Sequence, residues 1–188
     1  VATAADKDKD KARFAPGPAS SYAVHQTLDQ ITLAAMPFLT DAETATAFDK
    51  VNPNRYGVLP VLVILENGTG KALRLNIKAE FVTADGKHID ATPPEDVQRV
   101  GLVPKAPRVG AGPSPIPLPS RGKKGPLGIF EIEGYAFAAK LLPIGERAFG
   151  FFYFQAEHEP GSRIYLTGIK DAATGKDYFY YELPLDKQ

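Results

Sequence analysis

From Leu73 to Phe81 the chain alternates without a break. Leu73, Leu75, Ile77, Ala79 and Phe81 are apolar, and Arg74, Asn76, Lys78 and Glu80 between them are polar or charged. Successive side chains of an extended chain point to opposite sides, so this period of two predicts a strand over 73–82 with one face on a core. Val82 is the one exception. The preceding run, 58–66, is apolar almost throughout, the pattern of a central strand covered on both faces. Pro60 sits near its start, where a missing N–H donor is tolerated. Within 22–38, Ile31, Leu33 and Ala35 share one face of a further strand. Thr40 followed three residues later by Glu43 has capping-box spacing, and Ala42, Ala45 and Ala47 favour helix, which predicts one short helix ending before Pro53.

The later pattern is again extended. Asp85-Gly86 signals a tight turn before a short strand to residue 90. A strand is predicted to reach Leu142, followed by the turn PIGE and a strongly apolar strand through Phe149, Phe151, Phe152, Tyr153 and Phe154. EPGS is a turn, RIYLTGIKD a strand, AATGK a turn and DYFYYELPL the last strand. Such spacing predicts an all-β fold, an antiparallel sandwich of about 7–9 strands with one short helix. Two stretches stand apart. Residues 93–128 form a long Pro/Gly-rich loop insertion in which Pro113, Pro115, Pro117 and Pro119 favour polyproline geometry without PxxP spacing, with basic Arg121, Lys123 and Lys124 after them. A loop of this length is either mobile or laid over the surface, or else a binding element. Residues 1–20 open with VATAADKDKDK, which has nothing to bury, and read as a flexible tether ahead of a single domain over 21–188.

Composition narrows the partners. At 188 residues the chain can bury a proper core. Lys+Arg and Asp+Glu balance at 22 each, which gives no electrostatic reason to expect nucleic acid or an anionic membrane. The absence of cysteine removes thiol nucleophiles, disulfides, iron–sulfur clusters and thiolate zinc sites. No apolar run approaches the roughly 18 residues of a membrane span. The polar start is of a kind common just after an export signal or a lipid-anchored cysteine. It sets an expectation of an extracytoplasmic protein, periplasmic, cell-surface or secreted, with a lipid anchor upstream of Val1 as one form of attachment.

Catalytic signatures are not found. GTGK at 68–71 invites comparison with a phosphate-binding loop, which needs G-x-x-x-x-G-K-[ST]. Leu65 stands where the first glycine belongs, Ala72 follows Lys71, and a strand comes next; ENGTGK therefore reads as a hairpin turn. DAATGK at 171–176 fails in the same way, with Lys170 at the glycine position. His25, His88 and His158 lack metal-ligand spacing. Ser20, Ser21, Ser114, Ser120 and Ser162 lie outside any G-x-S-x-G. Acidic residues such as Glu131 and Glu133 are plentiful, but the sequence pairs none of them. No catalytic, cofactor-binding or metal-binding residue is singled out. The aromatics are the enriched feature: rings at 149–154 and at Tyr178, Phe179, Tyr180 and Tyr181 fall on both faces of two strands. Either the helix, the N-terminal strand or the long loop covers the outward rings, or they form an exposed strip for a partner or carbohydrate. Tyr178 and Tyr180 are the candidate exposed binding aromatics, because a phenol tolerates water.

The runs GVLPVLVILENGTGKALRL, then F-x-x-x-DGK, LLPIGERAFGFFYFQ and IYLTGIKDAATGKDYFYYELPL together resemble immunoglobulin-like β-sandwich domains of exported bacterial proteins and lipoproteins. The resemblance spans roughly residues 56–185 outside the Pro/Gly loop. It implies roles in adhesion, envelope assembly or ligand display, with another protein or envelope component as partner. The expected function is a non-catalytic extracytoplasmic binding or scaffolding domain of a bacterial envelope or secreted protein. Two alternatives stay open. A carboxylate-dependent hydrolase acting on glycan or peptide would show buried carboxylates of raised pKa in a concave site. A purely structural, self-associating domain would show an association surface on an edge strand.

Overall fold

The computed structural model describes residues 13–101 and 125–186. The proline-alternating and basic part of the expected loop, the first part of the expected tether and the last two residues lie outside the described residues.

Among the described residues nine strands form two antiparallel sheets. The first sheet has the order β1 (His25–Leu28), β2 (Ile31–Pro37), β3 (Leu59–Asn67), β7 (Arg147–Phe154). The second has the order β5 (His88–Asp90), β4 (Leu73–Val82), β8 (Arg163–Asp171), β9 (Tyr180–Pro184), and β6 (Leu141–Leu142) pairs with β4 at its other end. Read as strands A, B and E facing C′, C, F and G, the set β2-β3-β7 over β5-β4-β8-β9 has the Greek-key order of an immunoglobulin-type sandwich. The fold class read from the sequence is the one observed.

One expected hairpin turn does a different job. Gly68–Lys71 is a turn, as its residue types require, but β3 and β4 belong to different sheets, so it crosses the sandwich and does not close a hairpin. Local turn chemistry specifies a reversal, and cannot say whether the strands on either side pair. The β6–β7 turn crosses between sheets as well. True hairpins join β1 to β2, through Asp29 and Gln30 with φ of 50° and 64°, β4 to β5, through the expected Asp85-Gly86 turn, and β8 to β9.

The inward faces of the sheets form one core, with Leu33, Val61, Val63 and Leu65 against Leu75, Phe81, Ile164 and Leu166. The outward face of the first sheet carries a second core. Leu62 and Ile64 of β3 with Phe151 and Tyr153 of β7 pack under Phe38, Phe48, Val97, Leu127 and Ile132. Those last five come from a helical layer: α1 (Asp41–Phe48), α2 (Pro94–Val97), α3 (Phe130–Gly134) and their flanks. The expected helix is α1, and its capping box is present: Thr40 Oγ1 accepts from the Glu43 N–H at 3.2 Å, and Glu43 Oε2 accepts from the Thr40 N–H at 3.0 Å. Two further helices correct the one-helix expectation. They have four and five residues, too few to show a helical period, and they stand at the two ends of the stretch expected as a loop. The tether is corrected as well. Phe14 packs against Phe38, Tyr135, Phe149 and Phe151, and Ala19 is fully buried, so by Phe14 the chain has joined the helical layer.

In an immunoglobulin-type order strand D would lie beside β7. Here short pieces of main chain take that place. Thr92 N–H donates to Tyr153 C=O at 2.7 Å, Phe137 N–H to Phe151 C=O at 3.0 Å, and Phe151 N–H to Tyr135 C=O at 2.8 Å. The β7 edge of the first sheet is thereby capped.

Candidate functional site

With the helical layer over the first sheet, the outward face of the second sheet is the open one among the described residues. Alternation places Lys78 and Glu80 of β4 on it, together with Tyr165 of β8 and Tyr180 and Glu182 of β9. The register sets Glu80 opposite Asp90 on one side and Tyr165 on the other, and Tyr165 opposite Glu182.

The polar groups form a connected row. Lys78 Nζ lies 2.6 Å from Glu80 Oε1 and 3.3 Å from Asp90 Oδ1. Glu80 Oε2 lies 2.6 Å from His88 Nδ1, which donates when the carboxylate is ionised. Hydrogen bonds from Lys78 and then His88 hold the Glu80 carboxyl below its ordinary value, and Glu80 and Asp90 hold the Lys78 ammonium above its own. An aromatic row starts from the same histidine. The His88 ring meets Tyr165 edge-on at 5.9 Å, and Tyr165 stacks on Tyr180 at 5.2 Å with 28° between planes. Arg163 pairs with Glu182 at 2.8 Å beside it. Charged pairs and stacked rings thus share one sheet face, with Tyr180 at its rim 53 % exposed.

The two tyrosines singled out from the sequence part company. Tyr180 is on the open face. Tyr178 is buried, at 9 % exposure, and the expectation that it is exposed is corrected. Its N–H donates to Ile169 C=O at 3.0 Å, and its ring lies under Lys176 Nζ at 5.6 Å. Between them Phe179 has φ of 61°, which breaks the alternation that would have put both tyrosines on one face. Phe179 itself is 75 % exposed. Tyr165 was not singled out, although the alternation Arg163, Tyr165, Thr167 carries the signal for it.

The aromatic run of β7 has the other fate. Phe149, Phe151 and Tyr153 face the helical layer, and Phe151 lies 4.9 Å from both Phe38 and Phe48. Here the rings are covered.

The two glycine-lysine turns meet at one end of the sandwich. Lys71 Nζ reaches Asp171 Oδ2 at 3.1 Å, and Ala172 N–H donates to Ala72 C=O at 2.9 Å. The Asp171 side chain is 1 % exposed and its Oδ1 accepts from the N–H groups of Ala173 and Thr174 at 2.8 and 3.0 Å. The Thr174 N–H foremost, then Lys71, hold this carboxyl down to about 2. Asn67 ties the same end together, its Nδ2 lying 2.7 Å from Lys71 C=O and 3.0 Å from Pro143 C=O while Oδ1 accepts from Thr69. Lys71 thus ties its turn to the end of β8, and Lys176 covers the Tyr178 ring, so both lysines make structural contacts.

The histidines lie in separate places: His25 at the Tyr22 carbonyl, His88 at Glu80, His158 at the Leu185 carbonyl. Among the described residues no three His, Asp or Glu side chains gather as a metal site. Glu131 and Glu133 sit on α3, where Glu133 accepts from Gln98 at 3.3 Å. Among the described residues the carboxyls displaced from their ordinary range, Asp41, Glu80, Asp85 and Asp171, are held low. None of the described helices is long and apolar enough to cross a membrane. No protein-family model matches the chain, and no curated protein matches its sequence significantly.

Proposed function

We propose that this chain is a non-catalytic binding or scaffolding domain that works outside the cytoplasm, in a bacterial envelope or secreted protein, and engages another protein or envelope component. One observation supports the binding role above the others. One sheet face is sealed by a helical layer, while the opposite outward face presents a stacked Tyr165–Tyr180 pair among paired charges. Aromatic rings with polar ends are the side chains that contribute most at recognition surfaces. The location outside the cytoplasm rests on the sequence resemblance.

The test is co-sedimentation of the purified chain with isolated peptidoglycan sacculi and, separately, with envelope membrane vesicles. The expected result is retention on one of them that falls at least tenfold in a Tyr180→Ala variant of unchanged melting temperature. Retention on neither, or equal retention of the variant, overturns the reading.

A further inference from the structure

The two outer edges of the sandwich that carry the longest strands are treated differently. The β7 edge is capped by main chain from Thr92, Tyr135 and Phe137. The β9 edge is not: among the described residues, nothing outside the β8 ladder bonds to the main chain of Tyr180 or Glu182. The direction of those groups follows from the ladder. Leu185 N–H donates to Ser162 C=O at 2.8 Å, and the register runs Arg163↔Pro184, Ile164↔Leu183, Tyr165↔Glu182, Leu166↔Tyr181, Thr167↔Tyr180. Antiparallel pairs alternate between bonded and non-bonded, and Pro184 has no N–H to exchange with Arg163. Leu183 and Tyr181 therefore bond to β8, and Tyr180 and Glu182 turn their N–H and C=O groups outward.

We propose that this edge pairs with the same edge of a second copy of the chain. The register is self-complementary. About a two-fold axis at Tyr181, Tyr180 of each copy faces Glu182 of the other as a bonded pair, which uses every outward donor and acceptor of the two residues. The side chains brought opposite are a phenol and a carboxylate, so no like charges confront each other. Both ends of the window are fixed. Pro184 supplies no donor beyond Glu182, and at Phe179 the bonding sense reverses, since Tyr178 N–H already serves Ile169. A window this short, with its complement built into the same strand, fits its own copy better than an extended peptide of arbitrary sequence. Leu28, Phe179 and Tyr180, exposed at 43, 75 and 53 %, line the groove along this edge with Gln26 and Asp29. A second copy laid there removes apolar surface from water, and the two second sheets become one continuous sheet.

Sedimentation velocity over a concentration series, from about 1 μM to about 1 mM to span weak association, tests this on the full chain, together with amide hydrogen exchange at both ends of the series. The expected result is a monomer–dimer equilibrium whose dissociation constant rises at least tenfold in Glu182→Pro. That substitution removes an outward N–H together with the carboxylate that pairs with Arg163, and leaves the N–H groups that bond to β8 in place. The Tyr180 and Glu182 amides gain protection as concentration rises. A monomer throughout, a dimer unchanged by Glu182→Pro in a folded variant, or protection at these amides that ignores concentration overturns the proposal. Should Glu182→Pro fail to fold, exchange on the unsubstituted chain decides alone.

Discussion

The phenol of Tyr153 donates to the Ile132 carbonyl across 2.7 Å, and this buried bond fastens α3 to the C-terminal end of β7. Burial pushes the phenol far above its ordinary pKa. Tyr153→Phe keeps the ring and strands the carbonyl, for a loss of about 1–3 kcal/mol. A urea denaturation midpoint equal to that of the unsubstituted chain contradicts this. The unfolded phenol ionises first, so this contribution is present below its ordinary pKa of about 10 and fades as pH rises above it. Phenolate absorbance from Tyr153 should accordingly appear together with alkaline unfolding.

Gly150 on β7 lets the capping chain approach. A Cβ there would stand 2.6 Å from the Phe137 N and 2.9 Å from the Ala136 carbonyl carbon, both main chain that cannot swing aside. Gly150→Ala should displace the cap at a cost of about 1–3 kcal/mol, in the range of other overpacked sites. Hydrogen exchange locates the effect: the Phe137 and Phe151 amides lose protection, and the β8–β9 amides keep theirs.

Thr40→Ala removes half of the α1 capping box. The expected loss is about 1 kcal/mol, typical of an N-cap hydroxyl. Because α1 also holds Phe48 against Phe151, the tryptic sensitivity of 49–57 should rise with it. Thr40→Ser should restore both readings.

Asp171 gives the acid limb of stability. Its folded carboxyl is held to about 2, below an unfolded value of about 3.9. Its contribution is therefore complete above the unfolded value and is lost as pH falls through about 2. Asp171→Asn should lower stability at neutral pH and flatten the decline between pH 4 and pH 2, about the window those two values define. The flattening is partial, since Asp41, Glu80 and Asp85 are held low too. Parallel pH profiles for the two chains would show that the Asp171 charge is not what the turn uses.

What the sequence revealed depended on the range of the interaction involved. The alternation of β4 and the solid apolar run of β3 are written in neighbouring residues, and both strands fall where those patterns put them. Thr40 and Glu43 are equally local. The pairing partner of β3 is not: Gly68–Lys71 is the same turn whether the next strand pairs beside it or crosses to the other sheet. Helices as short as α2 and α3 carry no period, and they exist because Val97 and Ile132 fill the second core. Tyr178 shows the limit most sharply. Parity equates it with Tyr180, and a single left-handed residue, Phe179, undoes that parity from inside the strand pattern. The open face was readable as far as Tyr180, and Tyr165 could have been found by extending the same alternation one strand back.

The cover over the first sheet comes from widely separated parts of the chain: Phe14, the region of Phe38 and Phe48, Val97, and the region of Leu127 and Ile132. Each must close a long loop before the rings of β7 are shielded, and non-local closure is slow. While folding, and whenever the layer lifts, the segment Phe149–Phe154 is an unscreened aromatic strand with its edge uncapped, the composition that seeds intermolecular sheets. The chain's weakness towards aggregation is therefore a matter of timing, set by how quickly its last layer arrives.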